Sequence, residues 1–248
     1  MNWLRIVRAE LRKLTTTKMP LAFLIVFVVI GAGNAIAVAF GTDMDGSKTF
    51  ISTAADQQSL IAFAANALVI AGLFGAIALA REYGHGTVVL TFLTTPRRPE
   101  AVIAQYAAAF VAGSVLGFVG AGVIAASMAL GLSATDYGFM VSAADLAQVL
   151  AASTFAGGVG AVLGAGVGAL VRNTGGAVTG TFLALVILPP LAVQMAGETA
   201  TWVPGTLANV LSGTDNAAAV AAAIAAIALW ALVPAAIGLV AVNRRDVV

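Results

Sequence analysis

Between Arg81 and Arg98 the chain reads REYGHGTVVLTFLTTPRR, with an apolar stretch of membrane-crossing length on either side. The segment holds the only histidine of the chain, and glycines and a proline punctuate it. Around it lie 248 residues that are 60% hydrophobic and 9% charged, with a mean hydropathy of +1.01. A soluble domain carries about 25% charged residues. This chain has too little polar surface to stay in water, so it is read as an all-α polytopic membrane protein. Its net charge of +1 argues against a nucleic-acid partner. The absence of cysteine excludes disulfides, thiol catalysis and cysteine-held metals.

A helix needs about 20 apolar residues to cross a hydrocarbon core of about 30 Å. Working outward from the quoted segment, six such stretches appear: Pro20–Phe40, Leu60–Ala80, Val102–Leu130, Leu146–Val171, Ala177–Met195 and Ala217–Val242. None shows the period-2 alternation of a barrel strand. With both termini in the cytoplasm, every Lys and Arg except Lys48 falls inside: Arg5, Arg8, Arg12, Lys13, Lys18, Arg81, Arg97, Arg98, Arg172, Arg244 and Arg245. The outer loops collect Asp43, Asp45, Asp56, Asp136, Asp145, Glu198 and Asp215. This positive-inside split supports an even number of spans, because an odd number would put Arg244 and Arg245 outside. No separate soluble domain fits, so residues 1–248 are read as one transmembrane domain.

Residues 1–19 have the pattern of a basic amphipathic helix. Trp3, Leu4, Val7, Leu11 and Leu14 share one arc, and Arg5, Arg8, Arg12 and Lys13 lie opposite. Such a helix is expected to lie in the cytoplasmic headgroup layer, either as an anchor alone or as an elbow that also braces the neighbouring loop. Its basic region and the apolar stretch after it are both long for a cleaved signal peptide.

No Asp, Glu, Lys, Arg or His stands at mid-depth in any span, which speaks against a proton relay. Asn34 and Asn66 are the most polar mid-span residues. They suit hydrogen bonds between helices or the lining of a pathway, the first being the commoner use. Gly160, Gly164 and Gly168 recur every fourth residue, as do Gly113 and Gly117, and this spacing lets helix backbones approach closely, within one chain or between two. Catalytic motifs are missing. There is no G-x-S-x-G. The nearest approach to a P-loop, Gly41 to Thr49, has Ser47 where the lysine belongs. His85 has only Glu82 close by as a metal co-ligand, so no metal and no cofactor is expected on this chain.

Within the quoted segment, Arg81 marks the inner end of the second span. Gly84 and Gly86 permit a sharp break. Thr87 suits the N-cap of a short apolar helix, Val88 to Leu93, and Thr95-Pro96 ends it. An apolar helix on the aqueous side must be covered, by its own spans and headgroups or by a groove on a partner.

Glu82-x-x-His85-Gly86-Thr87, followed by Pro96-Arg97-Arg98 before a span, resembles the loop between spans two and three of ABC transporter type-2 permeases. Trp202-Val203-Pro204-Gly205-Thr206 before the last span is also similar, as are the basic N-terminal helix and the six-span layout, so the resemblance covers the whole chain. Gln105 departs from it, since many relatives carry a lysine there. The resemblance implies a permease subunit of an exporter in the plasma or inner membrane. Two such chains pair as a homo- or heterodimer, and each meets a separate ATP-binding cassette subunit that holds ATP and Mg. Residues 81–101 become the coupling loop, with Arg81, Glu82, Tyr83, Gly84, His85, Gly86, Thr87, Leu90 and Leu93 in the ATPase contact and Arg97 and Arg98 flanking it. The family's broken outer segment falls at 196–216, where Pro189-Pro190 and Pro204 are expected to interrupt helices. With no charge in the spans, an apolar or amphipathic cargo fits best. The alternatives are an ion-gradient-driven carrier and a membrane anchor or immunity protein that transports nothing.

Overall fold

In a computed structural model the chain is described over residues 3–44, 46–94 and 97–244, and among these there is no strand. Helix α1 (Trp3–Thr15) precedes α2 (Met19–Phe40), α3 (Ala54–Ala65), α4 (Ala67–Gly84) and α5 (Thr87–Thr94). Then come α6 (Arg98–Leu132), α7 (Ala143–Val171), α8 (Thr174–Phe182), α9 (Leu188–Ala196), α10 (Pro204–Leu211) and α11 (Val220–Arg244). Among the described residues, six helical segments are long and apolar enough to cross a membrane: α2, α3 with α4, α6, α7, α8 through α9, and α11. They match the six stretches read from the sequence to within a few residues.

The segments run alternately up and down. At one end Lys13 meets Glu82, and Arg172 reaches the Ala241 carbonyl. At the other, Gln57 donates to the carbonyls of Ile51 and Gly138, and Gln58 donates to that of Ser212. Lys48, the basic residue set apart by the charge count, lies at this second end. Its ammonium donates to the Val38 and Ala39 carbonyls at 3.2 and 2.6 Å. There it caps the negative end of α2, which explains a lone cation among acidic loops.

Helix α7 forms the centre and packs against α4, α6 and α11. Of its most apolar window 67% is buried, against 17% for α2. The buried helix is rich in Gly and Ala, whereas α2 presents Leu21, Ile25, Val28, Val29 and Ile36 outward. This is the expected division in lipid, where large apolar side chains gain nothing by leaving the hydrocarbon and small ones let backbones touch. An added Cβ at Gly160, Gly164 or Gly168 would run into the carbonyls of Leu68, Gly72 or Ala76. The glycine row is therefore used up between α7 and α4 of one chain, and a chain-to-chain contact through it has no free face. Gly113 and Gly117 meet Gly157 and Ser153 in the same way across α6 and α7.

Two breaks depart from the sequence reading. The second span is not continuous: Asn66 adopts φ 31° and ψ 44°, the left-handed region, and separates α3 from α4. Asn tolerates this conformation better than other side-chain-bearing residues. Conversely, Pro189-Pro190 does not interrupt the fifth span. A π-turn at Leu183–Ile187 comes just before, with the Leu188 N–H reaching the Leu183 carbonyl, and the prolines then occupy the first turn of α9. The wider π-turn moves the preceding carbonyls out of α-helical register, so the proline rings and their missing N–H groups are tolerated without ending the helix. Pro204 opens α10 as expected. That helix buries Pro204, Leu207, Val210 and Leu211 within the bundle, so the outer segment is part of the packed body.

Candidate functional site

At the Glu82 end, three elements meet in a polar cluster. Helix α1 turns Ile6 and Glu10 toward the protein and leaves Trp3 and Leu4 exposed. The Lys13 ammonium lies 2.7 Å from Glu10 Oε2 and 2.8 Å from Glu82 Oε1, and it also donates to the Thr91 hydroxyl of α5 at 3.4 Å. Gln105 Nε2 of α6 donates to the second Glu82 oxygen at 2.6 Å. The N-terminal helix thus braces the loop directly. The helical wheel puts Lys13 on the outward basic face, and the structure corrects this. Lys13 stays partly exposed, but its four-carbon stem carries the ammonium back to the two carboxylates.

The electrostatics follow from burial. Desolvation raises the Glu10 carboxyl above its ordinary value. The hydrogen bond from Lys13 pulls it back, and the Glu82 charge adds to the rise. Burial pulls the Lys13 ammonium down, but the charges and hydrogen bonds of Glu82 and Glu10 outweigh it and hold Lys13 above its ordinary value. One cation between two carboxylates is a tight clamp with one acid in excess.

The loop itself is a tight turn between two helices. Helix α4 runs through Gly84, so Gly84 remains helical, and the break comes at Gly86, whose φ of +67° favours glycine. His85 places Nδ1 2.9 Å from the Arg81 carbonyl. Thr87 does not cap α5. It is the first residue of that helix, and its hydroxyl donates to the Glu82 carbonyl at 3.3 Å, because Gly86 already occupies the turn. In α5, Val88 is buried at 2% exposure while Val89 and Leu93 stand outward at 42% and 73%. The side chain of Leu90 and residues 95–96 lie outside what is described.

The carboxylate of Glu82 is spent on Lys13 and Gln105, not on its neighbour Arg81. Arg81 is exposed, with a guanidinium nitrogen 4.0 Å from the Met19 sulfur. Arg97 pairs with Glu100 at 2.9 Å on the surface, and Arg98 is half-buried at the start of α6. Tyr83 lies under the Arg172 guanidinium, 5.2 Å from ring centre to cation, so the loop is also tied to the end of α7. Asn34 donates to the Ser127 hydroxyl at 3.3 Å, joining α2 to α6, which is the helix-packing role. Asn66 instead lines a cavity at the opposite end.

Sequence reasoning missed Glu10 as a partner. The available signal was a single acid three residues before Lys13 in an otherwise basic helix. Among the described residues no group of acids and histidine is arranged to hold a metal ion. No protein-family model matches the chain, and no curated protein matches it.

Proposed function

We propose that this chain is the membrane-spanning subunit of an ATP-driven exporter of the ABC type-2 permease kind, working with a separate ATP-binding subunit and a second permease chain. The observation that carries the reading is the α4–α5 turn. The Glu82 carboxylate just before it is held by Lys13 from α1 and by Gln105 from α6, the chain reverses at Gly86, and Val89 and Leu93 stand outward. A knob tied to two neighbouring helices and apolar at its tip is what a moving partner needs in order to push on a bundle. An unbraced loop would absorb the motion.

In this reading the Glu82 end faces the cytoplasm, since all basic residues but Lys48 gather there by sequence. Helix α1 lies in the headgroup layer, with Trp3 and Leu4 as its lipid-facing side. The cargo is apolar or amphipathic and leaves the cell across the plasma or inner membrane.

The test is reconstitution. Purified chain is combined with a candidate ATP-binding subunit encoded beside it, and complex formation and cargo-stimulated ATP hydrolysis are measured. Stable co-purification with stimulated hydrolysis supports the proposal. Transport by the chain alone, driven by an ion gradient without ATP, would replace it with a secondary carrier.

A further inference from the structure

The helix break at Asn66 opens onto a cavity of about 280 Å³, between the ends of α3 and α4, α7, the π-turn and α10. Irregular backbone inside a span persists only where protein buries it or where it lines a water-filled space. The bonds that start α4, from the Val69 and Ile70 N–H groups, both go to the Asn66 carbonyl. Carbonyls at the end of α3 and N–H groups at the start of α4 therefore have no partner within their own helices. Ala62 and Phe63 from the first set and Ala67 and Leu68 from the second line the cavity.

Three side chains add to this. Asn66 makes no capping hydrogen bond. Asn209 lines the cavity from α10. Ser153, on α7, lines it as well and is 8% exposed, and among the described residues no hydrogen bond is formed by its hydroxyl. These side chains open polar atoms into an otherwise apolar wall, where they offer hydrogen-bonding positions to whatever fills the space. None of the lining residues carries a charge. The end of α3 offers a negative half-dipole and the start of α4 a positive one, side by side. Their fields oppose, so neither a cation nor an anion is favoured. A neutral group that both donates and accepts, such as an amide or hydroxyl, satisfies both ends at once. The volume equals about nine waters at about 30 Å³ each, which suits a small organic group.

We propose that this cavity binds a compact uncharged ligand carrying paired donor and acceptor groups, and that Asn66, Asn209 and Ser153 recognise it. That the ligand is cargo, held at the outer half of the path, rests on the exporter reading; the chemistry of the site does not.

The chain has no cysteine, and a Cβ built at Gly205, on the cavity wall, meets nothing within 4 Å. Gly205→Cys therefore introduces a single reporter thiol and leaves the three polar residues intact. The full-length variant in lipid nanodiscs, without ATP or ATPase, is labelled with a water-soluble, membrane-impermeant maleimide. The competitors are benzamide, benzoate and benzylammonium, which share a ring and differ in head charge. The introduced thiol is expected to label, and benzamide to slow labelling about fivefold at four times its Kd. Benzoate and benzylammonium should not. Adding Asn66→Gly keeps the left-handed turn but removes the amide, and it should abolish protection without lowering the melting temperature. An unreactive thiol in Gly205→Cys, equal protection by all three compounds, or protection that survives Asn66→Gly would overturn the proposal. Protection by benzamide together with no response of any ATPase would sink the exporter reading and leave this site standing.

Discussion

The Lys13 ammonium sits 2.8 Å from a Glu82 carboxylate oxygen, across 69 residues of sequence. The contact joins the N-terminal helix to the turn that ends α4, and Glu10 completes it from the same helix at 2.7 Å. It makes α1 part of the loop rather than a separate anchor.

Lys13→Met should loosen α1 more than Glu10→Gln does. Losing Lys13 leaves two carboxylates facing each other, whereas losing the Glu10 charge removes an acid that burial already disfavours. The Lys13 side chain is 44% exposed, so solvent screening holds the expected loss to about 1 kcal/mol. Thermal melts of the purified variants check the order, and the double variant should recover part of the loss.

The pH dependence has a defined sign. The folded Glu10 carboxyl is raised above 4.5, so its contribution is fully present below 4.5 and is lost as pH climbs through the raised value. Lys13 is raised above 10.5, so its contribution persists to that pH and disappears only above it. Melting temperature should therefore fall a little on leaving the acid side and again in strong alkali. Glu10→Gln should lack the first step and keep the second.

Gly164→Leu should unfold the single chain rather than merely separate two chains, because the added Cβ meets the Gly72 carbonyl. The expected cost is about 3 kcal/mol or more, since backbone cannot yield as a flexible side chain does. Gly122→Ala is the control. It meets nothing within 4 Å and should be neutral or stabilising by up to about 1 kcal/mol. Detergent melts of both variants decide the matter.

Leu93→Asp should insert and fold normally, because the side chain is 73% exposed. In the reconstituted complex it should lower cargo-stimulated ATP hydrolysis about tenfold, which corresponds to about 1.4 kcal/mol of lost contact. Wild-type stimulation in Leu93→Asp would reduce the loop to a connector.

A reporter inserted near Asp136 should read external, and one fused after Val248 cytoplasmic. Internal signal at Asp136 would reverse the orientation assigned from the basic residues.

The sequence alone determined the six spans, their alternation and the place of the α4–α5 turn. Hydropathy over about 20 residues is a local property that lipid enforces segment by segment. Gly86, Pro204 and the glycine row were legible because each acts through its own backbone. What the sequence could not show were meetings across distance. Glu82 chose Lys13 over its neighbour Arg81 because α1 docks on α6, which no local pattern encodes. Nor could it show that the Gly160 row faces α4, or that Pro189-Pro190 is carried by a π-turn. The two asparagines make the point most directly. Asn34 and Asn66 look alike in an apolar stretch, yet one bonds Ser127 across a helix pair and the other breaks its own helix beside a cavity. A polar side chain in a span must be satisfied, and only the tertiary structure decides whether a neighbouring helix does so or the backbone gives way.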